Sequence, residues 1–354
     1  MISLTDPTTA NPIYFHDYHP TPADLRAEVL AGLARPRKQL SPKLFYDAEG
    51  SKLFDAICEL PEYYPTRTEI AILREHGAEM AQRLGREALL VELGSGSSLK
   101  IRVLLEALQP AVYMPVDISS EHLRQSAQAL AETFPRLEVH AVCADYSTPF
   151  ELPVDDHEHP RAAFFPGSSI GNFEPTEAEH LLRRVGAILG AEGRLLIGVD
   201  LIKDRERLEL AYNDAAGVTA AFNLNLLSRI NRELEGDFDL DRFRHDAFFN
   251  VEQSRIEMHL LSTCDQRVEV AGEHFAFREG ETIHTECSHK YSLDNFHRLA
   301  ARAGFQAEQV WTDPEQLFSV HCLVYRPEDR PEDRPEDRPE DRPEDRPEDR
   351  PEDR

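Results

Sequence analysis

The chain has 354 residues, 41% of them hydrophobic, and a formal net charge of -26. That length holds one large domain or two, with ample apolar material for a core. The acidic balance argues against nucleic acid, whose phosphates need clustered Lys and Arg, and no apolar run approaches a membrane span. Met1 to Pro12 lacks the basic and apolar regions of a signal peptide. The five cysteines (Cys58, Cys143, Cys264, Cys287, Cys322) form no C-x-x-C pair, so reduced thiols in the cytoplasm are expected.

Taken in order, Pro22 to Ala34 reads as a helix with Leu25, Val29, Leu30 and Leu33 on one side. Residues 42–67 are dense in aromatics, Pro and Gly, the composition of loops folded over a site. Thr68 is expected to cap a helix running to about Leu84. Leu89, Leu90 and Val91 then form a short buried strand, followed by Glu92 and a turn with Gly94, Ser95 and Gly96. A helix follows from Lys100, with Ile101, Leu104, Leu105 and Leu108 on one face.

From there strand and helix alternate, the pattern of a parallel α/β sheet. The expected strands are Ala111–Val116, Leu137–Cys143, Ala162–Phe165 and Arg194–Val199, with helices Glu121–Phe134 and Thr176–Leu189 between them. Acids stand at or just past the strand ends: Asp117, Asp145 and Asp200. That is where open α/β sheets hold ligands.

The alternation breaks after Leu201. Leu208–Asn225 and Arg229–Leu234 read as helical, and Glu252–Leu261 and Gln266–Phe277 as strands. It resumes with Ser292 as N-cap, a helix Leu293–Ala303 stopped by Gly304, and two closing strands, Phe305–Val310 and Leu317–Tyr325. The repeats Pro-Glu-Asp-Arg fill 327–354 seven times and carry seven of the surplus negative charges. With no apolar residue and a proline every fourth position, they are expected to be a disordered tail without a part in the core.

The strand–turn–helix around Glu92-Leu93-Gly94-Ser95-Gly96 suits a small ligand approached closely by backbone. A dinucleotide site needs a third glycine where Leu99 stands, which weakens a nicotinamide-dependent dehydrogenase reading. The E-x-G-x-G strand end resembles the first motif of class I S-adenosylmethionine-dependent methyltransferases. Asp117, 21 positions after Gly96, can accept two ribose hydroxyls, and Asp145 can accept an adenine amino group with Tyr146 beside it. A run Asp155–His159 is read as a surface loop and not as a metal site.

Further runs carry a closer resemblance: Leu44-Phe45-Tyr46-Asp47, Leu60-Pro61-Glu62-Tyr63-Tyr64-Pro65-Thr66-Arg67, Gly167-Ser168-Ser169-Ile170-Gly171-Asn172, Asp200-Leu201-Ile202-Lys203-Asp204, Ala211 to Thr219, and Glu286-Cys287-Ser288. From about Pro42 to Val324 the chain resembles the histidine-specific methyltransferases, the L-histidine Nα-methyltransferases of ergothioneine biosynthesis. The resemblance implies a class I Rossmann-like seven-stranded sheet and a second, mixed α+β domain for the amino acid. It assigns 69–201 and 289–325 to the first and 13–68 and 202–288 to the second. S-adenosylmethionine would be the methyl donor, held by Glu92, Gly94, Ser95, Gly96, Lys100, Asp117, Asp145 and Tyr146. Asn172 and Tyr212 would bind the substrate carboxylate and Tyr46 would lie beside the α-amine, these three carrying the catalytic assignment. Tyr63 would line the pocket, and Glu286 and Ser288 would grip the imidazole with Met258 packed nearby. No metal is implied, and a monomer is expected. Two alternatives stay open: the same chemistry on another small amine, and a non-catalytic protein that uses its tail for docking.

Overall fold

The computed structural model describes residues 13–18, 22–96, 99–150, 152–154 and 159–327. The leader before Ile13, most of the Asp155–His159 run and the repeats beyond Pro327 lie outside the described residues.

The chain opens with β1 (Ile13–Asp17), α1 (Pro22–Leu33), β2 (Lys38–Gln39), a 3-10 turn at Pro42–Phe45, α2 (Ala48–Glu59) and α3 (Tyr64–Leu84). Asp47 caps α2 by accepting from Gly50 N at 2.7 Å. α3 begins four residues before the Thr68 expected from capping preference. Pro65 sits in its first turn, where its fixed φ fits and its missing N–H costs nothing. Thr68 instead donates back to the Tyr64 carbonyl at 2.8 Å.

The α/β core follows as β3 (Leu89–Leu93), α4 (Leu99–Leu108), β4 (Val112–Asp117), α5 (Ser120–Thr133), β5 (Glu138–Cys143), β6 (Arg161–Phe165), α6 (Pro175–Leu189) and β7 (Arg194–Asp200). Next come α7 (Arg205–Leu210), α8 (Val218–Glu233), β8 (Phe243–Asn250), β9 (Arg255–Ser262), β10 (Gln266–Val270), β11 (Glu273–Phe277) and β12 (Thr282–His289). The described chain closes with α9 (Leu293–Arg302), β13 (Phe305–Thr312) and β14 (Phe318–Tyr325).

The large sheet has the order β1-β5-β4-β3-β6-β7-β14-β13. Seven of these strands are those expected, with β14 antiparallel to both β7 and β13. β1 adds an eighth at the edge, parallel to β5 from Ile13–Val139 to Asp17–Cys143. Its five residues sit before any recognisable turn, so period alone does not reveal it. β3 and β5 to β7 are almost wholly buried, because helices cover both faces. α3, α4 and α5 pack on one face through Leu73, Met80, Leu104 and Leu123. α6 and α9 cover the other through Leu181, Leu182, Phe296 and Leu299.

A smaller sheet, β2-β12-β9-β8, and the hairpin β10–β11 share a separate core with α1, α2 and α8, built on Phe45, Phe222, Leu226, Met258 and Ile283. The helix expected over Leu208–Asn225 is two helices. Asp214 accepts from Val218 N and Thr219 N at 2.8 Å each, and Gly217 at φ +74° starts α8 afresh. α8 then runs through the separate Arg229–Leu234 segment. Gln266–Phe277 folds back on itself because Ala271 and Gly272 both take positive φ, the geometry of a tight hairpin turn.

Candidate active site

A cavity of about 1070 Å³ opens at the carboxyl ends of β3, β4 and β5 and runs to β12, roofed by the 3-10 turn at Pro42–Phe45 and by α2. β3 has β4 on one side and β6 on the other, so the crevice lies at the point where strand order reverses. The glycine turn is pinned across the sheet: Gly94 N and Ser95 N donate to Val116 O at 2.8 and 3.3 Å. Gly94 takes φ +71°, a backbone conformation that glycine adopts without strain. Ser95 Oγ is buried without a hydrogen-bond partner, beside a cavity that can supply one.

The acids at this end differ in state. Burial pushes Glu92 up to about 8, against the Tyr113 hydroxyl that donates to it. Burial also raises Asp117, opposed by bonds from Ser119 N at 2.9 Å and Gly96 N at 3.1 Å. At Asp145 burial is outweighed, because Ser147 and Lys43 hold the carboxylate below its usual range. Lys100 pairs with Glu69 at 2.7 Å, and Gly167 N donates to the same carboxylate at 2.9 Å.

At the opposite end Tyr46, Tyr63, Asn172 and Glu286 line the wall. Tyr46 stands edge-on to Phe54 and Phe222, which fixes its ring. Asn172 ends a short turn packed on β12 so tightly that a side chain on Gly171 would meet His289 O at 2.7 Å. Burial lifts Glu286 to about 7, with Lys290 opposing. Cys287 points to the other face of β12, its Sγ 3.5 Å from Asn172 O.

Three expected residues are not on that wall. Tyr212 and Ser288 adjoin it, bonded to each other at 3.0 Å, with the Tyr212 ring 6.2 Å from that of Tyr63. Met258 is 1% exposed in the core, paired across the strands with Glu286, so the two side chains lie side by side on one face of the sheet. The remaining candidates, Glu92, Gly94, Ser95, Gly96, Lys100, Asp117, Asp145 and Tyr146, all line the cavity.

A family model described as "Histidine-specific methyltransferase, SAM-dependent" matches residues 25–325. The chain is 44% identical to the histidine N-alpha-methyltransferase of Mycolicibacterium smegmatis, over 85% of this chain and 94% of that one. It is 42% identical to the Mycobacterium tuberculosis protein of that name, over 82% and 91%. The ergothioneine biosynthesis protein 1 of Neurospora crassa is 31% identical over 82% of this chain and 34% of its own length. This chain belongs to the SAM-dependent histidine-specific methyltransferases.

As in the family description, S-adenosylmethionine is the methyl donor, and this chain has the features to hold it. Ser95 offers an unpartnered hydroxyl beside a cavity that Gly94, Gly96, Lys100 and Asp117 also line.

In this methyltransferase several charged side chains also meet in ways that the sequence did not show. Lys43 reaches across the cavity to Asp145 at 3.1 Å and to Glu28 at 2.8 Å. Glu69, fully buried, carries Lys100. Asp200 gathers Lys203, Lys290 and Tyr64. Tyr64, Asp200 and Lys203 stood inside the quoted motifs, but nothing in their spacing showed that they meet. Among the described residues two groups have metal-ligand chemistry, Glu174–Cys287–His289 and Glu257–His259–His284. In both, the carboxylate is already held by the Arg255 guanidinium, at 2.5 Å from Glu174 and 2.8 Å from Glu257.

Proposed function

We propose that this enzyme transfers three methyl groups in succession from S-adenosylmethionine to the α-amino group of L-histidine, giving the betaine hercynine. The observation that carries this reading is one continuous cavity with two chemically different ends. The glycine turn and strand-end acids suit the donor, and Glu286, Asn172, Tyr46 and Tyr63 suit an amino acid with a polar ring.

The donor supplies an electrophilic methyl group on a sulfonium. The protein's contribution is alignment, which is worth several kcal/mol when two reactants are held in register. Tyr46 lies where an amine can approach its ring. Burial, and Glu286 next, hold its phenol protonated well into the alkaline range where the amine is free to attack. An aromatic face keeps its attraction for nitrogen after the last N–H is replaced by methyl, which allows the second and third transfers. Asn172 is placed to orient the carboxylate. Glu286 offers an acceptor for a ring N–H, at a depth where an unpaired carboxylate is costly.

The same reading divides the chain into a donor-binding unit, 69–201 and 289–325 with β1 at its sheet edge, and an amino-acid unit, the rest of 13–68 and 202–288. It places a monomer in the cytoplasm, a compartment that suits five free thiols. No described helix is long and apolar enough to cross a membrane.

Selectivity tests the reading. The wild type should turn over histidine and reject phenylalanine and leucine by roughly four orders of magnitude, because those side chains leave Glu286 unpaired. Glu286→Ala should lose most activity toward histidine and keep its donor affinity. A variant that retains the wild-type preference contradicts the role of Glu286. A wild type that methylates a different amine contradicts the substrate.

A further inference from the structure

Lys290 follows β12, two residues after Ser288, and is 3% exposed. Its three N–H bonds are committed to Asp200 at 2.8 Å, Ser288 Oγ at 2.8 Å and Tyr212 Oη at 3.2 Å. Asp200 does not need Lys290 for charge balance. Lys203 is a second ammonium partner, and Tyr64 also donates to Asp200, at 2.7 Å. Two ammonium groups around one carboxylate leave a surplus positive charge in the interior. It sits against the two hydroxyls that back the amino-acid end of the cavity.

The hydrogens at this junction can be counted. Tyr212 and Ser288 are 3.0 Å apart, and the phenol, the more acidic hydroxyl, donates to the serine oxygen. Ser288 Oγ then accepts from Tyr212 and from Lys290, which fills both of its lone pairs. What the serine has left is its own hydrogen. The ladder around Glu286–Met258, Cys287–Glu257 and Ser288–Ile256 is regular, so Glu286 and Ser288 project from one face of β12.

We infer that Lys290 is a specificity-determining positioning residue: by filling, together with Tyr212, both lone pairs of Ser288 Oγ it leaves that serine only a hydrogen to give. The amino acid must then present an acceptor to Ser288 and a donor to Glu286. A neutral imidazole has one nitrogen of each kind, and a carboxylate supplies further acceptors. This rests on the histidine reading above and adds to it the residue that sets the polarity of that serine. Without Lys290, Ser288 is free to turn its hydrogen toward Tyr212, and a ligand lacking the ring acceptor leaves nothing unpaired.

The test is Lys290→Met in the full chain, assayed with histidine and with a pyrrole analogue that keeps one ring N–H and has carbon in place of the acceptor nitrogen. The wild type should prefer histidine by about a hundredfold or more, the penalty for leaving a site's polar group unpaired. Lys290→Met should narrow that ratio by about tenfold, through a higher KM for histidine with kcat little changed. If Lys290 acts through Ser288, adding the change to Ser288→Ala should narrow the ratio no further. A purely structural role would lower turnover of both substrates together and leave the ratio intact, which overturns the inference. If Lys290→Met does not fold, Ser288→Ala alone should narrow the ratio, and an unchanged ratio there overturns it too. A wild type that fails to turn over histidine at all would instead overturn the functional reading.

Discussion

Replacing Asp117 with Ala separates binding from folding at the donor end. Its two oxygens accept from Ser119 N at 2.9 Å and Gly96 N at 3.1 Å, yet a carboxylate has about four lone-pair sites. The Ile118 N–H is also directed at it, which still leaves a site for a ribose hydroxyl. Losing a charged acceptor for that hydroxyl should cost about 1.4–2.8 kcal/mol, a ten- to hundredfold weaker Kd for S-adenosylmethionine. The empty protein should behave differently. Burial raises the Asp117 pKa, and relief of that burden offsets the loss of its bonds from Ser119 N and Gly96 N, so its removal should change Tm little. Titration calorimetry for the donor and a thermal melt without it make the comparison. Unchanged affinity would refute the ribose assignment. Weaker affinity together with a fall in Tm of the empty protein would show that Asp117 braces the glycine turn and does not read the ligand.

Two other expectations concern the fold itself. Glu92 is raised from 4.5 to about 8 by burial. The native chain therefore holds its proton more tightly than the unfolded chain, and stability falls as pH rises through that window, by up to about 1.4 kcal/mol per pH unit. Glu92→Gln should melt with the wild type near the acid end of the window and several degrees above it at the alkaline end, and parallel curves would contradict this. A chain ending at Arg326, which keeps that residue's pair with Glu192 at 2.8 Å, should retain both Tm and turnover, because the repeats offer no apolar side chain to bury. A fall in either would mean that the repeats dock on the folded part.

The donor end was the more legible half. Glu92, Gly94, Gly96 and Asp117 follow one another along strand, turn and strand end, so local rules bring them to one end of the cavity. The amino-acid end depends on chain returning from far away. Glu286 and Asn172 meet on one wall only because β12 inserts beside the turn at Ser169–Asn172, and no periodicity encodes that. Tyr212 and Ser288 are bonded to each other from 76 positions apart, and no spacing rule shows that contact. Buried charges were the least legible. Nothing in the spacing of Glu69, Lys203 and Lys290 shows their partners; only the fold shows that Glu69 lies under Lys100 and Gly167. The split of Leu208–Asn225 has a local cause, the Asp214 side chain competing for helix-start N–H groups, which apolar period alone does not register.

The central claim is that this chain methylates the α-nitrogen of L-histidine three times. The most direct measurement is mass spectrometry of the product after incubation of the full chain with S-adenosylmethionine and L-histidine, with fragmentation to locate the added carbon. The account predicts a product heavier by three methyl groups, all on the α-nitrogen, with the imidazole unmodified. A methyl group on the ring, or no gain in mass while another amine in the same mixture is methylated, would contradict it.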